Sequence, residues 1–125
     1  MLAWYQYGGA DLLMGFGDNI VAFSRVFGTV LKNGSINTVS LHSACVDIDQ
    51  WTRKADVYFL IPDPQEQSVW SKVLAQTKMA SADCQNSLEQ RNATLLQTSI
   101  IEVLAASDLA MPLAKRFIAQ AADLK

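Results

Sequence analysis

Residues 36–61, INTVSLHSACVDIDQWTRKADVYFLI, are the stretch on which the fold turns. β-branched and aromatic residues crowd it, and Asp56 to Ile61 taken alone reads as a strand. Periodicity points the other way. Leu41, Ala44, Cys45, Ile48, Trp51, Ala55, Tyr58 and Phe59 share one helical face, while Ser43, Asp47, Gln50 and Lys54 line the opposite one. Strict alternation fails at Asp47, which follows Leu41, Ser43 and Cys45 at period two. Asp49 and Arg53 form a favourable i,i+4 pair on a helix. The reading is a helix from about Asn37 to Leu60, and the alternative is a hairpin pairing residues 38–48 with 56–61.

Downstream, Pro62 disfavours helix at Ile61. Asp63 then serves as an N-cap, Pro64 as the first helical residue and Glu66 as the third-position partner of a capping-box-like start. The next helix carries Trp70, Val73, Leu74, Thr77, Ala80, Cys84 and Leu88 on one stripe. No Gly or Pro occurs from Gln65 to Met111. An unbroken helix of that length would exceed about 60 Å, so a break is placed at Arg91–Asn92, with Asn92 capping the following helix. That helix takes its apolar residues from Leu95, Leu96, Ile100, Ile101, Val103 and Leu104. A second break is expected between Ser107 and Pro112, with Pro112 opening a last helix that carries Leu113, Phe117, Ile118, Ala121 and Leu124.

Upstream, Leu13, Phe16, Ile20, Phe23, Phe27 and Val30 recur at spacings of three and four and predict a helix from about Ala10 to Lys32. Gly15, Gly17 and Gly28 interrupt it and call for close packing or for a broken first turn capped by Asp18. Asn33–Gly34 is a helix stop. Residues 1–9 read as an irregular lead-in. The whole is one all-α domain over residues 1–125, an up-and-down bundle of four to five helices, with α+β as the alternative if residues 38–61 form the hairpin. The Pro62–Asp63 turn makes the flanking helices antiparallel neighbours. Counted outward from it, Cys45 lies level with Ala80, so Cys45 and Cys84 sit about one helical turn apart.

Composition narrows function mainly by exclusion. Half of the 125 residues are apolar and the net charge is −2, from ten Lys and Arg against twelve Asp and Glu. That is an ordinary soluble globular balance. The cations are scattered apart from the doublets Arg53–Lys54 and Lys115–Arg116, so no concentrated basic face for nucleic acid is expected. The apolar stretch from Leu12 to Leu31 contains Asp18, Asn19, Arg25 and three glycines, which argues against a membrane span. No Lys or Arg precedes an apolar run at the start, so no secretory leader is expected. Two cysteines outside any CxxC suggest a reducing, cytoplasmic location.

Chemistry-bearing motifs are few. His42 is the sole histidine and precedes Cys45 by three residues, so the two could form a nucleophile and its base with Asp49 as the orienting carboxylate. No cysteine-hydrolase signature flanks them. Zinc needs three or four ligands, and the Glu-x-x-His pattern of carboxylate-bridged bundle metals is missing, so no metal site is expected. GxGxxG, GxxxxGK[ST] and GxSxG are all absent, and no cofactor is implied. Aromatics are the remaining signal. Trp4, Tyr5 and Tyr7 crowd the start of the chain, and Trp51, Tyr58 and Trp70 gather beside the Pro62–Asp63 turn, where a packing gap would form an amphipathic pocket. Such residues suit interfaces, since they offer apolar area with one polar handle. The sequence therefore favours a non-enzymatic interaction module that associates with itself or a protein partner through an aromatic-rich surface. A small enzyme or ligand-binding protein with a His42/Cys45 site in an inter-helix cavity is the alternative.

Overall fold

The computed structural model describes residues 2–33 and 38–123. Residues 34–37, which include the expected Gly34 stop and Asn37 start, lie outside that set, as do Leu124 and Lys125. A single α-turn, α1 (Leu2–Trp4), runs through a π-helical stretch (Tyr5–Gly9) into α2 (Ala10–Asn33); α3 (Thr38–Asp56), α4 (Pro64–Gln90) and α5 (Ala93–Asp123) follow. The described residues contain no strand, so the helical periodicity of residues 38–56 prevailed over their β-propensity and the hairpin does not form. The lead-in expected to be irregular is helical. Gly8, at φ 160° and ψ −19°, is its one non-helical joint.

The four long helices alternate in direction, with α4 and α5 in the most extensive contact and α2 and α5 in a much thinner one. Two apolar layers fill the interior. The first joins Trp4, Leu12, Phe16, Trp51, Trp70, Leu113 and Phe117; the second joins Phe23, Leu41, Ile48, Leu96, Val103 and the two cysteines.

The chain's punctuation works as its chemistry dictates. The Asp63 carboxylate accepts from the backbone N–H groups of Gln65 at 2.9 Å and Glu66 at 3.1 Å, satisfying donors that a helix start leaves open. The capping box is not completed, because the Glu66 side chain turns inward toward Arg116 of α5, 3.9 Å away. Arg91 adopts the left-handed conformation at φ 50° and ψ 45°, and the Asn92 side chain caps α5 through the N–H of Thr94 at 3.0 Å.

Three expectations are corrected. The helix expected to reach Leu60 stops at Asp56, leaving residues 57–63 as an irregular connection. That lengthens the turn and shifts the α3–α4 register, so Cys45 meets Cys84 rather than Ala80. Their Cα atoms are 5.6 Å apart and the sulfurs are bonded. Pro112 does not begin a helix but lies inside α5. An interior proline costs about 3 kcal/mol, yet Ala106, Ala110, Leu113 and Phe117 form one continuous buried face on both sides of it, and that burial holds the helix together. Asp18 caps nothing, since α2 is unbroken there. Gly15 answers instead to close packing: a Cβ on it would stand 3.3 Å from Trp51 Cδ1.

Candidate interaction surface

The aromatics expected at the surface are mostly interior. Trp4, Trp51 and Trp70 are 5%, 7% and 2% exposed. Trp4 is the centre of the group, 5.3 Å from the Phe117 ring and 5.4 Å from both Tyr58 and Trp70. Its indole N–H donates to the Phe59 carbonyl, and the Tyr58 hydroxyl donates to the Trp4 carbonyl at 2.9 Å. Trp51 donates to the Leu12 carbonyl at 2.8 Å. The polar handles of Trp4, Trp51 and Tyr58 are thus used internally, as suits buried Trp and Tyr. Gly8 and Gly9 make this docking possible. A Cβ on Gly9 would collide with the Trp4 indole, and one on Gly8 would stand 2.9 Å from the Tyr58 ring. Tyr5 stacks on Phe117 at 5.4 Å. Of the six aromatics named from the sequence, only Tyr7, at 85%, is freely exposed. The aromatic-rich patch is therefore a core with one outlying tyrosine.

The His42, Cys45 and Asp49 set is not assembled either. Cys45 is fully buried and its sulfur is bonded to Cys84. His42 is exposed on the outer side of α3. Asp49 pairs with Arg53 at 3.0 Å and accepts weakly from the Ser81 hydroxyl at 3.4 Å. With the thiol consumed in the cross-link, no thiolate stands beside the imidazole. Among the described residues, no three His, Cys, Asp or Glu side chains converge as metal ligands would.

The pocket expected beside the α3–α4 connection exists in altered form. An open cleft of about 300 Å³ is lined by Tyr58, Phe59, Gln67, Trp70 and Ser71, with the Lys78–Asp56 ion pair at 2.9 Å across its end. Trp51 lies elsewhere, beside a gap of about 10 Å³ lined from all four long helices, which is room for about one water.

Two buried carboxyl groups stand out between helices. Burial raises Glu66 above the usual carboxylate range, with Arg116 opposing and Asp63 adding to the rise. Glu102 of α5 is pushed up to about 7, first by burial and then by Asp83 of α4. Neither Glu102 oxygen meets a partner at ordinary hydrogen-bond geometry, but the Asp83 carboxyl is close enough to favour the protonated form.

Exposed apolar side chains are organised in a way the sequence reading missed. Ile101 and Leu104, named among that helix's apolar residues, are exposed, together with Met111 and Ile118. Leu104, Met111 and Ile118 recur at intervals of seven along α5; Tyr7, Met14 and Val21, all exposed, do the same from the π-helical stretch into α2. Between the helices runs a groove of about 200 Å³ lined by Leu13, Gly17 and Ile20 on one side and Ser107, Met111 and Ala114 on the other. Met111 therefore belongs to both groove and stripe. The seven-residue spacing was legible in the sequence. The assignment failed because the expected break at Pro112 split the α5 stripe in two. Val57, Phe59 and Leu60 of the α3–α4 connection form a further exposed apolar group.

α5 from Thr94 to Gln120 is also long and apolar enough to cross a bilayer by length and composition, with a third of that stretch buried in the bundle. It carries Glu102, Asp108, Lys115 and Arg116. The chain matches no protein-family model, no curated protein and no solved structure.

Proposed function

We propose that this domain is a non-enzymatic interaction module that self-associates through the outer face of α5. The observation that carries the reading is the exposed stripe Leu104, Met111 and Ile118 at heptad spacing. An apolar residue every seven positions keeps one seam turned toward a partner helix. At on the order of 100 Å² for each of the exposed Ile101, Leu104, Met111 and Ile118 side chains, α5 alone supplies about half of the roughly 800 Å² per partner of a standard interface. Met111 lies midway along the α5 stripe, where interface energy concentrates.

The Cys45–Cys84 bond supports a compartment that keeps thiols oxidised, in place of the reducing cytoplasm expected from cysteine count alone. The bond ties α3 to α4 and leaves α5 free to present its face.

Sedimentation velocity over a micromolar concentration series tests the proposal. The wild type is expected to pass from monomer to dimer, and Met111→Glu to remain monomeric with unchanged helicity. A wild type that stays monomeric throughout overturns it.

A further inference from the structure

We infer that the partner of the α5 face is the same face of a second copy, packed antiparallel about a two-fold axis at Met111. The inference rests on the self-association reading and adds its register. The α5 seam has a repeating form. Leu104, Met111 and Ile118 each stand seven residues apart, and four residues after the first two come Asp108 and Lys115. Ser107 and Ala114 lie three residues after the same two apolar positions and face the α2–α5 groove. They leave room for another backbone to approach.

Antiparallel placement about Met111 is the arrangement that satisfies every one of these residues. Met111 meets the partner's Met111. Leu104 then lies opposite the partner's Ile118, and Ile118 opposite the partner's Leu104. In the same register Asp108 falls level with the partner's Ala114, one residue from the partner's Lys115, and symmetry repeats the pair. Asp108 and Lys115 are both exposed, and neither has an ion-pair or hydrogen-bond partner among the described residues. In antiparallel helix pairs the flanking positions of the same heptad letter face each other, so opposite charges there select this register. A parallel pair would set these two positions against the partner's Val103 and Ala110, which are apolar and buried, and would leave both charges unpaired across the seam. An isologous contact of this kind closes at two copies.

Charge reversal and cross-linking test the register separately from association. Asp108→Lys and Lys115→Asp are each expected to weaken dimerisation about tenfold, since two attractive pairs become repulsive. The double reversal is expected to restore it to within about threefold of wild type. Under mild oxidation Met111→Cys is expected to cross-link to itself. Leu104→Cys is expected to cross-link only when mixed with Ile118→Cys, because two Leu104 positions lie about 21 Å apart along antiparallel helices. Rescue by the double reversal together with the mixed cross-link supports the register. A dimer in which Leu104→Cys cross-links to itself, or in which the double reversal fails to rescue, overturns the register and leaves self-association standing. A monomer in every variant overturns both, and a monomer that floats with phosphatidylcholine vesicles assigns the face to lipid instead.

Discussion

Breaking the Cys45–Cys84 bond should remove a large part of this domain's stability without removing its fold. The bond closes a segment with a sequence separation of 39. In the chain-entropy account a loop of that size destabilises the unfolded state by about 4 kcal/mol. Set against the 5–15 kcal/mol typical of whole domains, the reduced protein remains folded but marginal. At roughly 2 cal/mol/K of unfolding entropy per residue, the same change lowers the melting temperature by about 15 °C. Both sulfurs are fully buried, so reductant must enter through local or global opening. The comparison is therefore between protein reduced while unfolded and then refolded under reductant, and protein kept oxidised. Reduction retains both sulfur atoms in the interior, which avoids the cavity that Cys→Ala would leave. Urea unfolding followed by far-UV circular dichroism reads the difference, and intact mass first establishes that the oxidised form is lighter by two hydrogens. Coincident midpoints would show that the bond contributes no stability, and two titratable thiols in protein purified without reductant would show that it does not form.

Other consequences follow from named side chains. Trp4→Ala should cost about 3–5 kcal/mol, since it empties the centre of the aromatic layer and removes the clamp on Phe59; a urea midpoint within error of wild type would contradict this. Glu102 titrates at about 7 in the folded state against 4.5 for the unperturbed group, so the native state holds more protons than the unfolded state between those values. The stability it contributes is fully present below about pH 4.5 and is lost as pH rises through about 7. Glu102→Gln should flatten most of that fall in urea midpoints taken across the window, and a slope equal to wild type would show that another group carries it.

The α-helical architecture was legible in the sequence wherever a single residue's chemistry sets a boundary. Asp63 with Pro64, and Arg91 with Asn92, act locally, through a carboxylate, a fixed φ and a left-handed turn. What misled was tertiary. Pro112 reads as a break, yet residues on both sides of it share one buried face against α4. Residues 57–60 continue a helical pattern on paper, yet the connection unwinds there, and Tyr58 and Phe59 bind Trp4 instead. The aromatic crowding at the start of the chain signalled packing rather than a surface, and the clue was the Gly8–Gly9 pair, which lets α1 fold back. The cysteine pairing was approached to within one turn by counting outward from Pro62, and the four-residue discrepancy is the unwound connection.

We propose that the outer face of α5 is the acting surface. Methionine methyl NMR tests it most directly, because the chain has four methionines, and exposed Met79 lies on α4 while exposed Met111 lies in the α5 stripe. Across a dilution series, the Met111 methyl resonance is expected to move with concentration and that of Met79 to stay fixed. A Met111 resonance indifferent to concentration would contradict it.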